Sequence, residues 1–247
     1  MSLLEVLESE WADPSPAIRL ASLRRALSGR IVFTTSFGIE DQALTHFIAE
    51  GELDIDVVTL DTGRLFPETH DVWDATERRY GLRIRAYHPE CSELEALNEH
   101  HGVNGFYSSV DARHACCNVR KVRPLARALD GAAAWVTGLR ASQSAHRQAN
   151  CLLEWDEARD LVKANPLLDW TRETIVDFHA RNTIPLNALH ARGFPSIGCA
   201  PCTRAIEPGE DERAGRWWWE QSSKECGLHV GPEGRFVRAN QSGGELK

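Results

Sequence analysis

Short β-branched or aromatic runs, each leading into a small polar turn and a helical pattern, constrain this fold more than any other feature. The first run covers residues 30–36, the second 55–60 and the third 82–87. Helical spacing of apolar residues follows the first two runs, and residues 91–101 continue the alternation after the third. Consecutive strand–helix units of this kind predict an α/β fold with a doubly wound, mostly parallel sheet.

Later parts of the chain extend the same alternation. The remaining predicted elements are helices within 1–28 and over 112–129, strands over 133–137 and 161–167, and a helix capped by Thr171. Pro124 lies inside the second of these helices, where we expect a kink. Beyond Gly198 the periodicity weakens and the chain ends in a glycine-rich stretch, which predicts a mobile tail.

The turns at the predicted strand ends contain the polar residues expected of a ligand site. Ser36-Phe37-Gly38 separates the first strand from its helix, an arrangement in which backbone N–H groups can hold a phosphate. No Gly-Lys-Ser/Thr follows, so the turn is not a Walker A motif, and an ordinary strand–helix turn is the alternative. Asp61 and Gly138 follow other strands, and open α/β sheets bind ligands at such carboxyl ends.

Charge and composition exclude some classes of protein. The net charge of −8 leaves no basic excess for general nucleic-acid binding, although a local basic pocket remains compatible with it. The arginines that could form such a pocket are Arg120, Arg123, Arg204, Arg213 and Arg216. No run of about eighteen apolar residues predicts a membrane span. Seven cysteines without a secretory signal predict a cytoplasmic protein whose thiols bind metal or react.

Four of the cysteines have a spacing that suits an inorganic centre. Cys199 and Cys202 are separated by two residues, which lets both thiolates reach one centre. Cys116 and Cys117 are adjacent, so their side chains diverge and closing a tetrahedron around one zinc ion is awkward. A 4Fe–4S cluster offers each thiolate a separate iron and fits this set better. A buried cysteine pair and a redox disulfide remain as alternatives.

Cys226 stands apart from the other cysteines. It lies in the glycine-flanked tail near Lys224 and His229, either of which can favour the thiolate, so we consider it a candidate nucleophile. An unreactive surface thiol is the alternative. Cys91 and Cys151 are expected to act as small apolar side chains in apolar or helical surroundings.

Taken together, these motifs resemble those of the assimilatory adenylyl-sulfate (APS) reductases, within the APS and PAPS reductase family. The resemblance covers residues 30 to 231. The matching stretches are Ser36-Phe37-Gly38-Ile39-Glu40-Asp41, Leu60-Asp61-Thr62-Gly63-Arg64, Cys116-Cys117-Asn118-Val119-Arg120-Lys121-Val122, Thr137-Gly138-Leu139-Arg140, Cys199-Ala200-Pro201-Cys202 and Lys224-Glu225-Cys226-Gly227-Leu228-His229.

The resemblance implies a fold, a cofactor and a substrate. The fold would be an adenine nucleotide alpha hydrolase-like sheet in a single domain over residues 1–230, with a flexible tail over 220–247 that carries the nucleophile. The four cysteines imply a 4Fe–4S cluster, and the cluster-bearing members mainly use APS. PAPS or dual specificity is the main alternative. An ATP-pyrophosphatase-type ligase or sulfurtransferase and a zinc module are others, although the Ser-Gly-Gly-x-Asp-Ser motif of the former is missing.

The resemblance also implies a mechanism and a set of site residues. The Cys226 thiolate would attack APS, AMP would leave, and reduced thioredoxin would release sulfite from the S-sulfocysteine, as in assimilatory sulfate reduction. The cluster ligands would be Cys116, Cys117, Cys199 and Cys202. The substrate-binding residues would be Ser36, Gly38, Asp61, Thr62, Gly63, Arg64, Lys121, Arg140, Arg213, Arg216 and His229. No membrane or nucleic-acid partner is expected, and a homo-oligomer is left open.

Overall fold

The computed structural model of the protein describes residue 7 and residues 9–220. The predicted tail over 220–247, with Cys226 and His229, therefore lies outside the described residues except for Glu220. Within the described part, six strands form one sheet: β1 (Arg30–Thr35), β2 (Asp56–Leu60), β3 (Arg85–Tyr87), β4 (Ala132–Val136), β5 (Leu153–Asp156) and β6 (Leu161–Ala164).

The sheet has the order β3-β2-β1-β4-β6-β5, with every neighbouring pair parallel except β5 and β6. Chain order runs outward from β1 in one direction and returns to its other side at β4, so the sheet is doubly wound as predicted. β5 is the exception, because it pairs antiparallel with β6 at the sheet edge. The sequence analysis missed this strand, whose four residues are too few to show a clear period of two.

Helices cover both faces of the sheet. The described helices are α1 (Pro16–Ala26), α2 (Ile39–Glu50), α3 (Pro67–Tyr80), α4 (Cys91–His101), α5 (Val110–Cys117), α6 (Arg123–Leu129) and α7 (Arg172–Asn182). Shorter 3₁₀ turns, among them 188–192 and 200–202, connect the later elements. Among the residues that the structure describes, we find no helix with the length and apolar character that a bilayer crossing needs.

The central strand shows why the sheet is buried on both sides. Ile31 and Phe33 point to the face covered by α1, α2 and α7, and Val32 points to the face covered by α6. Side chains of a strand alternate between faces, so a strand with apolar residues at every position needs cover on both. The Phe33 side chain, for example, is fully buried. This double burial explains why residues 31–33 of the first strand are all apolar.

The helix predicted over 112–129 is divided into three parts. A π-helical turn over Asn118–Val122 separates α5 from α6, and the Arg123 N–H bonds the Asn118 carbonyl five residues earlier. Pro124 follows at once and has no N–H to donate, so a regular α-helical ladder cannot continue through it. The structure thus places a π turn, rather than a simple kink, directly after the paired cysteines.

Candidate active site

A cleft lies at the carboxyl ends of β1, β2 and β4, where the turns after three neighbouring strands meet. It is lined by residues 34–38, by Thr59, Leu60 and Thr62, and by residues 137–139. We call this the strand-end cleft. Parallel strands place their carboxyl ends along one edge of the sheet, so turns far apart in sequence converge there. The polar turns that the sequence analysis selected are therefore brought together by the sheet.

The turn after β1 is closed by a buried carboxylate. Asp41 Oδ2 accepts hydrogen bonds from the Ser36 N–H (2.6 Å) and the Ser36 hydroxyl (2.7 Å). Burial raises the pKa of Asp41 from 3.8 to about 6, although the bonds from Ser36 act in the opposite direction. A Cβ on Gly138 would collide with the Asp41 carboxylate, so a glycine is needed where the β4 turn approaches this group.

Basic side chains form one wall of the cleft, which we call the basic wall. Lys121, Arg213 and Arg216 line it, together with residues 195–198. Arg216 Nη1 donates to Ser196 Oγ and to the Ile197 carbonyl, both at 3.3 Å. A Cβ on Gly198 would overlap the Arg216 guanidinium, so this glycine lets the backbone pack against it. The three cations can offset the negative charge of an anionic ligand.

The four cysteines predicted as ligands surround one cavity beside the cleft. Cys116 and Cys117 come from the end of α5, and Cys199 and Cys202 from the loop at 199–202. We call this cavity the thiol chamber. Cys117, Cys199 and Cys202 are each less than a tenth exposed and pack with Phe106 and Trp217. The structure thus brings together two cysteine pairs that are distant in sequence.

Cations and a hydroxyl surround the thiols. Arg64, Arg113 and Arg120 line the thiol chamber, and Lys121 and Arg216 line both the chamber and the strand-end cleft. Thr62, which also lines the cleft, lies with its hydroxyl oxygen 3.3 Å from Cys199 Sγ. Arg120 Nη1 donates to the Thr62 carbonyl at 2.6 Å. The two cavities therefore share one charged wall.

The thiols differ in how readily they ionise. Burial opposes ionisation of Cys199, but Lys121, the contact with Thr62 and Arg216 together hold its pKa below the ordinary value of 9.0. Burial and the neighbouring Cys199 raise the pKa of Cys202 to about 11. Burial likewise raises the pKa of Cys116. Among these three thiols, Cys199 therefore ionises most readily, because the cations of the basic wall stabilise its thiolate.

The chamber brings four thiols together. In the described part of the chain, no three or more His, Cys, Asp or Glu side chains are grouped so that they could hold a metal ion. Four thiols nevertheless line the same cavity. Thiolates are ligands of both zinc ions and 4Fe–4S clusters, and in a cluster each thiolate binds a separate iron.

The predicted substrate-binding residues divide into four groups. Those that line the strand-end cleft are Ser36, Gly38, Thr62, Lys121, Arg213 and Arg216. Arg64 instead lines the thiol chamber and lies over the Phe106 ring, 5.1 Å from its centroid. Asp61, Gly63 and Arg140 are not among the cleft-lining side chains, and His229 lies beyond the described residues, as does the predicted nucleophile Cys226.

Two other cysteine expectations need correction. Cys91 and Cys151 were expected to act as small apolar side chains, but both are exposed, although Cys91 does lie in a helix as expected. Cys91 begins α4 and lies within hydrogen-bonding distance of Glu95, one turn further along the helix. Cys151 precedes the edge strand β5, which the sequence analysis did not predict. Neither thiol is part of the buried apolar clusters of the described residues.

Several site residues escaped the sequence analysis. Arg147, Glu40 and Glu212 line the strand-end cleft, and Trp217 lines the chamber between two guanidinium groups, each 4.8 Å from its ring centroid. Trp217 also has a positive φ of 42°, which is strained for a bulky residue. The three-tryptophan run was a visible signal, but its placement depends on contacts with Arg113 on α5.

Comparisons with known proteins agree with this geometry. The family model described as "Phosphoadenosine phosphosulfate reductase domain" matches residues 30–205. A relative named adenosine 5'-phosphosulfate reductase from Agrobacterium fabrum is 59% identical over 205 residues, covering 83% of this chain and 79% of the relative. A protein of the same name from Allochromatium vinosum is 54% identical over 200 residues, covering 81% of this chain and 78% of the relative.

Solved structures show the same sheet. A phosphoadenylyl-sulfate (PAPS) reductase from Candida auris has a TM-score of 0.68 and 25% identity, covering 82% of this chain and 95% of that structure. An FMN adenylyltransferase from Candida glabrata has a TM-score of 0.56 and 16% identity, covering 99% and 79% respectively. At that identity, the second likeness concerns the fold alone.

Proposed function

The chain belongs to the phosphoadenosine phosphosulfate reductase domain family, and from this premise we propose that it reduces adenosine 5'-phosphosulfate (APS) to sulfite and AMP. One observation carries the proposal: the basic wall of the strand-end cleft is also a wall of the thiol chamber, through Lys121 and Arg216. A nucleotide in the cleft would direct its anionic end to this wall. The relatives named APS reductase favour APS as that nucleotide.

Cys226 is the proposed nucleophile. Its thiolate attacks the sulfur of APS, a bond forms between Cys226 Sγ and that sulfur, and the bond from sulfur to the bridging oxygen breaks. AMP leaves with the electron pair, and S-sulfocysteine remains on the protein. Lys121, Arg213 and Arg216 would hold the phosphosulfate and offset the charge that develops on the leaving phosphate. His229 is proposed to contribute to the same anion site.

Thioredoxin is the proposed reductant for the second half of the reaction. Its thiolate attacks Cys226 Sγ, a disulfide forms, and sulfite leaves with the electrons of the broken S–S bond. The second thioredoxin thiol then attacks that disulfide, which returns Cys226 to the thiol and leaves thioredoxin oxidised. For both steps to occur, the segment that carries Cys226 must reach the cleft in the first step and be accessible to thioredoxin in the second.

The proposed cofactor is a 4Fe–4S cluster bound by Cys116, Cys117, Cys199 and Cys202. The lining of the chamber by four thiols and several cations supports this assignment. When bound, such a cluster would supply a fixed local charge beside the anion site. Arg120, Lys121 and Arg64 would offset the negative charge of four thiolates and hold the chamber together. The nucleophilic step itself is assigned to protein residues.

The nucleophile can be tested by intact mass spectrometry. After incubation with APS and no reductant, the full-length protein should gain the mass of one SO₃ group on Cys226, and thioredoxin should remove it with release of sulfite. Cys226→Ser should form no adduct and no sulfite while still binding AMP. Cys91→Ser, which changes an exposed thiol outside the chamber, is the matched control and should behave like the unchanged protein. An adduct on another cysteine would refute the assignment.

A second candidate substrate is PAPS, used instead of APS or beside it. The family description and the name of the Candida auris protein both refer to PAPS, the nucleotide with one more phosphate than APS. Sulfite formation from APS and from PAPS should be compared at equal thioredoxin concentration. We expect a higher kcat/KM for APS, and a large preference for PAPS would overturn the choice of substrate.

A further inference from the structure

A buried arginine lies between two carboxylates at the rim of the strand-end cleft. Arg140 Nε donates to Glu40 Oε1 at 2.8 Å, and its Nη2 donates to Glu212 Oε1 at 2.8 Å and to Oε2 at 3.0 Å. The Arg140 side chain is 1% exposed. Burial opposes its charge, but Glu40 and Glu212 raise its pKa above the ordinary value, so the guanidinium stays charged. The Arg140 N–H groups named above therefore donate to protein carboxylates.

These contacts connect separate pieces of the cleft. Glu40 lies in the first turn of α2, directly after the β1 turn, and Arg140 lies in the loop after β4. Glu212 immediately precedes Arg213 in the segment that also contains Arg216. Arg172, at the start of α7, donates to Glu212 Oε1 at 2.9 Å. Two cations and two carboxylates thus form a connected network with no net charge. The network ends beside the basic wall.

A second arginine–glutamate pair in the same segment provides a contrast. Arg204 makes two 2.8 Å bonds to Glu210, with side chains 35% and 32% exposed. This pair joins two residues of one loop, whereas the Arg140–Glu212 pair joins the loop to the sheet. Arg204 binds Glu210 through two nitrogens but is partly exposed, whereas Glu212 accepts from buried Arg140 and also from Arg172 on α7. Buried ion pairs are screened less by solvent than exposed ones, and Glu212 is held by two elements of the fold. The position of the segment therefore depends on Glu212 more than on Glu210.

We propose that Glu212 and Arg140 are positioning residues that hold the 212–216 segment against the cleft, so that Arg213 faces the anionic end of a bound nucleotide. For the identity of that nucleotide, this inference rests on the proposed function. Arg140 would then contribute to binding through Glu212 and Arg213, and not through its own contact with the ligand. The sequence resemblance had suggested a direct contact.

The test is a double-mutant cycle with AMP as the probe, on the full-length protein with its metal centre intact. Glu212→Gln should weaken AMP binding about tenfold, because the charge-assisted contacts of Glu212 with Arg140 and Arg172 are weakened. Glu210→Gln, the matched control, should change binding less than about twofold. In an Arg213→Gln background, Glu212→Gln should have little further effect, because the group that it positions is absent.

Additive effects of Glu212→Gln and Arg213→Gln would overturn the proposal, since they would mean that Glu212 acts independently of Arg213. Unchanged AMP binding in Glu212→Gln would do the same. If Glu212→Gln fails to fold, Arg172→Gln removes one partner at the more exposed end and should weaken AMP binding about threefold, again only when Arg213 is present. No effect of Arg172→Gln would then count against the proposal.

Steady-state kinetics add a readout that general loosening of the structure would not give. The segment is expected to bind the substrate equally well in its ground state and in the transition state. Glu212→Gln should then raise KM for APS and leave kcat nearly unchanged. The AMP cycle needs no turnover, so it can succeed even if the protein does not reduce APS. Failure of the positioning role and failure of the proposed function are therefore distinguishable.

Discussion

The strand-end cleft and the thiol chamber lie side by side and share Lys121 and Arg216, yet they are built differently. The cleft is formed by turns at the ends of neighbouring parallel strands, and both a buried carboxylate and several cations line it. The chamber is formed by the end of one helix and a loop far along the chain, packed with aromatic rings. The cleft thus depends on sheet topology, and the chamber depends on contacts between irregular segments.

This difference predicts that the two regions respond separately to substitution. The cleft should keep its shape when the chamber is damaged, because β1, β2 and β4 are held by the core on both faces of the sheet. The chamber has fewer such supports, and its two cysteine pairs are joined through Trp217 and the surrounding cations. The shared wall is where the two regions should influence each other.

The largest expected effect is the loss of the proposed 4Fe–4S cluster from the chamber. Cys202→Ser should abolish bound iron, brown colour and sulfite formation, because the donor set loses one thiolate. AMP binding should fall by no more than about tenfold, since most of the cleft is built by the sheet. Iron analysis, visible absorbance and AMP titration of anaerobically purified protein measure these outcomes.

Cys151→Ser provides the control for this experiment, because Cys151 is exposed and outside the chamber. It should retain iron and activity. A colourless protein that contains zinc would contradict the assignment of the chamber, and loss of AMP binding together with iron would contradict the independence of the two regions.

A smaller effect is expected from the buried carboxylate of the cleft. The pKa of Asp41 is raised from 3.8 to about 6, so the folded protein keeps a proton that the unfolded chain has already lost between these values. The stability of the folded state should therefore fall as pH rises from about 4 to about 6, by about 3 kcal/mol, and this contribution should be constant at higher pH.

Asp41→Asn removes this titration while its side-chain oxygen can still accept the bonds from Ser36. Relative to the unchanged protein, the variant should gain unfolding free energy as pH rises from 4 to 6, with no further gain above about 6.5. Denaturant unfolding at several pH values checks this. A difference between the two proteins that does not vary with pH would show that Asp41 does not titrate in this range.

The smallest expected effect concerns the shared wall. Lys121→Gln should weaken AMP binding about 30-fold, because one charge-assisted contact to the phosphate is lost. Arg123→Gln, two residues further along the chain, should change binding less than about twofold, since Arg123 is exposed and pairs with Glu93. Equal effects of the two substitutions would mean that the wall acts only through overall charge. Titration at two salt concentrations would reveal that case.

Much of the cleft could be predicted from the sequence because its parts are local. The β-branched and aromatic run at 30–36 and the turn at 36–38 identified a strand and its end, and parallel pairing then fixed the edge at which the turns meet. Gly138 could be recognised in a strand-end turn, but its close approach to Asp41 could not. For Arg140, the motif predicts a site residue but not its contacts. Its buried guanidinium donates to Glu40 and Glu212.

The sequence by itself determined the doubly wound sheet, the strand-end turns and the pairing of Cys116-Cys117 with the Cys199–Cys202 loop as candidates for one centre. Periodicity, turn chemistry and thiol chemistry are properties of short segments, so they can be read without coordinates. Only the tertiary structure decided that Lys121 and Arg216 belong to both cavities and that Glu212 is bound to Arg140. Those arrangements arise from contacts between segments far apart in the chain, which no local pattern encodes.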